Sequence, residues 1–252
     1  PSWGMTRATS GKGNEEAKRV MMKSLQSIPR SWLYVLLVVL LSWPLLKPIG
    51  IPIEISNETR VAYDVVDSLK PGSVVVFGFD YSSGNSAEME PQALAVLRHL
   101  LRLDVKVIGL SFVEQGPMLG QDAFSKAGWT DKEYGVDYVD AGFKPGGLAV
   151  ILGMGRDIHK VYGNQDARGN ALSSLPMMRG VKTYDDIALM IDFAASNLPF
   201  TWIGFAHERY GLKMAAGVTA VMATDLYPYW KSDQLVGLIN GMKGAAEYEQ
   251  LV

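Results

Sequence analysis

Residues 73–79, SVVVFGF, constrain the fold of this chain more than any other segment. The run is uncharged and one strand long, with Pro71-Gly72 before it and Asp80-Tyr81-Ser82-Ser83-Gly84 after it. A strand without a polar side is buried on both faces, and sheets buried on both faces are parallel ones layered between helices. A second apolar run, residues 105–112, follows Leu94, Leu97, Leu100 and Leu101, which recur at helical spacing. Strand, helix and strand with a short return make the two strands parallel and the crossover right-handed. The expected class is therefore α/β: an open, mostly parallel, Rossmann-like sheet with helices on both faces.

The rest of the chain fills in that scheme. Ser56, with Glu58 in the first turn, is read as the N-cap of a helix carrying Val61, Val65, Val66 and Leu69. Pro91, beside Glu88 and Glu90, is read as the first residue of the next helix. Further strands are expected at residues 137–143 (an edge), 187–193, within 212–223 and at 234–239. Helices are expected at 147–162, 201–210, 227–232 and 245–251. Residues 163–182 show no period and predict a long surface excursion.

Ahead of this domain lie the sixteen uncharged residues 31–46, SWLYVLLVVLLSWPLL. A membrane-crossing helix needs roughly twenty residues, but Ile49, Ile51 and Ile53 prolong the apolar stretch and Lys47 can snorkel. Trp32, Tyr34 and Trp43 sit near the ends, where amphipathic rings favour the interface. Lys18, Arg19, Lys23 and Arg30 precede the run, so residues 29–54 are read as a transmembrane signal anchor with a cytoplasmic N-terminus. A soluble helix would need a polar face, which the run lacks. A cleaved signal peptide would need a small-x-small site, and none follows Leu46. Residues 1–28 are expected to be a disordered cytoplasmic tail and residues 55–252 an extracytoplasmic α/β domain at the cell membrane. Because the chain opens on Pro1, Met5, Met21 and Met22 are candidate translation starts.

Charge divides the same way: residues 1–50 hold seven Lys/Arg against two Asp/Glu, and residues 51–252 seventeen against twenty-four. An acidic body without a basic stripe excludes nucleic acid as a partner. The absence of cysteine excludes disulfides, thiolate metal sites and a cysteine nucleophile.

The motifs FDYSSG (79–84), LRHLL (97–101), YGVDYVDAGFKPGG (134–147), LPMMRGV (175–181), YDDIALMIDFAA (184–195) and AAGVTAVMATDLYPY (215–229) run through most of the chain. Through them it resembles a family of uncharacterised membrane-anchored bacterial and archaeal proteins. The resemblance implies a single anchor, a Rossmann-like outer domain and a second hydrophobic segment beyond Val252, hence a C-terminal truncation here. It implies no activity.

In open parallel sheets ligands sit outside the carboxyl ends of the strands. That rule selects Asp80, Tyr81, Ser82 and Ser83 after the first strand, Glu114 and Gln115 after the second, and Asp192 and Ser196 at the fourth. It adds Thr224 and Asp225 at the fifth, followed by the aromatic Tyr227, and Asn240 at the last. Asp80 and Asp225 would orient a polar ligand, with hydroxyls supplying hydrogen bonds; the same residue types also close turns and cap helices without any ligand.

No cofactor or metal is expected. Gly153-Met154-Gly155 lacks the third glycine and the strand-to-helix turn of a dinucleotide site. His99, His159 and His207 lack zinc-protease spacing, and no serine stands in a nucleophile elbow. The leading expectation is a membrane-anchored domain that binds a partner protein or small polar ligand at its carboxyl strand edge. The alternatives are a membrane-tethered hydrolase using Asp, Ser or His of that edge, and a structural subunit of a membrane complex. The expected partners are the lipid bilayer, through residues 31–53, and a membrane protein.

Overall fold

The computed structural model describes residues 29–46 and 54–252, which belong to two units, a leader and a domain. In the leader, α1 (Arg30–Leu46) is a helix of 17 residues. It is apolar all round: Leu36, Leu37, Leu40 and Leu41 are each more than half exposed. At 1.5 Å per residue it spans about 26 Å, against a hydrocarbon core of about 30 Å. Among the described residues no helix is long and apolar enough to cross a membrane. The expected tail, 1–28, and the last part of the expected anchor, 47–53, lie outside the described residues.

The domain is built on six parallel strands: β1 (Val74–Asp80), β2 (Lys106–Ser111), β3 (Tyr138–Phe143), β4 (Leu189–Ala194), β5 (Met214–Val218) and β6 (Gly237–Asn240). Their order is β3-β2-β1-β4-β5-β6, so the expected open, Rossmann-like α/β sheet is present. The chain steps outward from β1 to β3, then returns to β1's other side and steps outward again. The reversal between β1 and β4 is the kind of switch point at whose carboxyl ends open α/β sheets bind ligands.

In chain order the domain's helices are α2 (Asn57–Asp67), α3 (Ser86–Arg102), α4 (Gly116–Lys126), α5 (Gly147–Met154), α6 (Ile158–Val161), α7 (Leu198–Trp202), α8 (Ala220–Lys231) and α9 (Gly241–Leu251). A π-turn at Ile203–His207 carries α7 on to Tyr210. Alternation along β1 sends Val75, Phe77 and Phe79 to a core under α2, α3, α4 and α9. Val76 points the other way, into a core under α5 to α8. The first core is aromatic: Phe77 lies 4.8 Å from both Phe79 and Phe193, and Phe79 lies 5.5 Å from Phe124. Each such pair adds about 0.5–1.5 kcal/mol beyond area burial.

Several expectations are corrected. Residues 163–182 do run along the surface, most of them exposed, but Leu172, Met177, Met178 and Val181 pin the segment into the second core. The helix expected at 147–162 breaks after Met154, because Gly153 packs on Val161 and Gly155 on the ring of Tyr210. Pro91 lies inside α3, which already begins at Ser86. The carbonyl it leaves unbonded belongs to the exposed Ala87, within reach of water. The helix α4, GPMLGQDAFSK, was not expected, since two glycines and a proline interrupt its period. The strand expected within 212–223 ends at Val218, and the helix expected at 227–232 starts as early as Ala220. There Glu88 Oε1, from α3, accepts the Ala220 N–H at 2.7 Å and places an acid at the N-terminus of α8.

Candidate functional site

At the carboxyl end of the central strands two aspartates meet. Gly78 and Asp192 are register partners across β1 and β4, and Asp80 ends β1 two residues further on, so both acids point to the same face of the sheet. A Cβ on residue 78 would lie 2.5 Å from Asp192 Oδ1 and 3.3 Å from Asp80 Oδ2. Only glycine there leaves room for the Asp192 carboxyl.

Asp80 is held on one side. Its Oδ1 accepts the Phe112 N–H at 2.5 Å and lies 3.1 Å from the Ser111 hydroxyl, which also approaches Phe79 O and Val113 O. A side chain on Gly116 would overlap that hydroxyl, so the tight start of α4 keeps Ser111 in place.

Burial raises the Asp80 carboxyl from its ordinary 3.8 to about 6, against the lowering effect of the Phe112 N–H, Asp192 and Ser111. Asp192 is fully buried and is pushed well above the usual carboxylate range, first by burial and then by the charge of Asp80. Two carboxylates this close cannot both ionise. Asp192, the more deeply buried of the two, is the one that keeps its proton. Asp80 Oδ2 and both Asp192 oxygens are buried with no hydrogen-bond partner in the protein.

Other polar atoms around this edge are also buried without a partner: Ser196 Oγ after β4, Asn240 Oδ1 at the end of β6, Tyr162 OH and Trp202 Nε1. Burial, with the charges of Asp80 and Asp140, raises the Tyr162 hydroxyl, which therefore remains a donor. Among the described residues no group of His, Cys, Asp and Glu is arranged to hold a metal. The histidines are engaged elsewhere: His99 with Tyr248 and Asp67, His159 with the carbonyls of Met178 and Val181, and His207 with the Leu212 carbonyl.

The residues selected from sequence fall into separate places. Asp80 and Asp192 form the pair. Tyr81 turns to the opposite face and is buried in the aromatic core, where burial and the acids Glu90 and Asp122 raise its hydroxyl. Ser82 closes a turn onto Asn85, while Ser83 gives both its N–H and its hydroxyl to Gln115 Oε1, tying the loops after β1 and β2 together. Glu114 is exposed on the same rim.

Thr224 and Asp225 do not end a strand. They lie inside α8, where the Thr224 hydroxyl bonds back to the Val221 carbonyl and Asp225 faces solvent. Tyr227 gives its hydroxyl to Glu58 at 2.7 Å and accepts from Asn240 at 3.3 Å, forming a second cluster beyond β6. Three strand spacings, about 14 Å, separate the Asn240 backbone from that of Asp80. Ser111, Tyr162 and Trp202 were missed; Ser111 was hidden as one hydroxyl in an apolar run.

A cavity of about 480 Å³ lies away from the pair, between Pro117, Met118 and Gln121 of α4 and Asp140 and Arg168 near β3. We place the chemistry at the buried pair, because desolvated, unsatisfied oxygens are costly and concavity alone is not. No protein family, curated protein or solved structure matches this chain.

Proposed function

We propose that this chain is a membrane-tethered α/β domain that binds a small polar ligand at the carboxyl ends of β1 and β4. One observation carries the reading: three carboxyl oxygens of Asp80 and Asp192 stand buried at the strand-order reversal without a protein donor. Asp80 Oδ2 and the carbonyl oxygen of a protonated Asp192 are acceptors, which call for a ligand rich in donors, such as an ammonium, an amidine or a polyol.

The test is thermal melting of the full chain in detergent micelles against a panel of small amines and polyols. A ligand should raise the melting temperature of the wild type and not that of Asp192→Asn. If no compound in the panel does so, and Asp192→Asn merely stabilises the protein, the reading is wrong.

Two carboxyls sharing one proton, with Asp80 near 6, favour a second reading as a hydrolase that uses the pair as acid and base. Turnover of an ester or phosphoester that vanishes in Asp80→Ala supports it, and silence across both substrate panels removes it.

The tether comprises residues 31–53, of which α1 is the described part, with the basic flank on the cytoplasmic side and the domain outside. What supports it is the all-round apolar surface of α1. Release of the chain by alkaline carbonate would refute the tether. On this reading a membrane protein is the natural partner of the domain.

A further inference from the structure

We infer that the carboxyl edge of the sheet is a membrane-seating surface that rests on the lipid headgroups. Among the described residues the domain exposes six large apolar side chains. Four of them, Met118, Leu148, Val221 and Met242, are the second or third residues of α4, α5, α8 and α9, each of which starts where a parallel strand has ended. A fifth, Phe143, ends β3, and the sixth, Phe205, lies in the π-turn. Val221 is 82% exposed and Met118 and Met242 64%, so most of each side chain faces solvent.

The amino edge is of opposite character. The turns entering β1, β2, β3, β4, β5 and β6 carry exposed Lys70, Asp104, Glu133, Asp185, Lys213 and Asp233. Single exposed apolar residues are ordinary on a protein surface, but their collection on one edge, beside the exposed Glu114, Asp225 and Lys243, marks an interaction face.

The path of the chain identifies the occupant. α2 runs antiparallel to β1 and so begins at the carboxyl edge, where Glu58 meets Tyr227 beside Asn240 of β6. The chain therefore enters the domain at the apolar edge. On the tether reading the anchor runs to Ile53, so only Glu54 and Ile55 lie between it and Ser56. The inference rests on the tether reading above: a chain anchored through residues 31–53 keeps this edge, rather than the charged one, within reach of the bilayer.

The absence of cysteine makes the test direct. Single-cysteine variants at Val221 and Met242 on the edge, at Asp104 and Asp233 on the opposite side, and at Leu37 in α1 are labelled with an environment-sensitive fluorophore. The full-length protein is then reconstituted into vesicles of phosphatidylcholine and phosphatidylglycerol carrying nitroxide lipid. Labels at 221 and 242 should shift to the blue and lose intensity to the nitroxide, while those at 104 and 233 stay aqueous and unquenched. Met118 and Leu148 serve as second positions should a variant fail to show a cooperative melt.

If the Leu37 label is quenched while the edge labels match the controls, the seating inference is overturned and the tether stands. If neither Leu37 nor the edge is quenched, both readings fall. Quenching at the edge without quenching at Leu37 supports seating and refutes the tether. Edge labels that turn blue without lipid quenching report a protein on that face and overturn the inference.

Discussion

Asp192 is the residue on which the site turns, and its environment makes two predictions. The Asp80 carboxyl is raised from 3.8 to about 6 in the folded protein. A group raised in this way stabilises the fold below its unfolded value and loses that contribution as pH rises through the folded value. Between about pH 4 and 6 the wild type should therefore lose on the order of 2 kcal/mol relative to the double variant Asp80→Asn/Asp192→Asn. Urea unfolding of both proteins across that range measures the difference. The second prediction concerns Gly78, whose missing side chain is the space that Asp192 Oδ1 borders at 2.5 Å. Gly78→Ala should cost about 1–3 kcal/mol through overpacking. Adding Asp192→Ala should return part of it, which a double-mutant cycle of melting midpoints reads out.

Elements that declare themselves through their own side chains were legible; those defined by a distant partner were not. The runs at 73–79 and 105–112 became β1 and β2 almost residue for residue, because a buried strand is specified by its own apolar content. Asp80 and Asp192 were both selected from sequence, but nothing local says that one faces the other across Gly78. The start of α8 is the clearest failure. MAAGVTAVM looks like one long strand, and what ends it after Val218 is Glu88, 132 residues away in sequence, which receives the Ala220 N–H. Thr219 makes no side-chain cap of its own. Glu88→Ala should therefore destabilise the domain by about 1 kcal/mol and speed hydrogen exchange at Ala220 and its neighbours. Glu88→Gln, which keeps an acceptor oxygen, should restore part of the loss. A Glu88→Ala protein with unchanged exchange there would show that α8 is capped by other means.

At the scale of the whole domain, the sheet places its most protected strands beside its most costly polar groups. β1 and β4 are central and almost wholly buried, whereas β3 and β6 lie at the edges. Native-state hydrogen exchange should be slowest in Val75–Phe79 and Leu189–Phe193 and faster in the two edge strands. Equal rates across the sheet would contradict a core centred on the carboxyl pair. The strand order has a further consequence, for synthesis. β1 is made first and acquires its β2 neighbour within some thirty residues, but its other edge must wait until β4 is complete, more than a hundred residues after β1 begins. Throughout that interval the nascent chain presents an unpaired strand edge that is apolar up to Asp80, the kind on which other chains template. Expression yield should therefore hinge on how quickly residues 189–194 arrive to close it, and slow translation between β3 and β4 should favour aggregates in which β1 of one copy has paired with another.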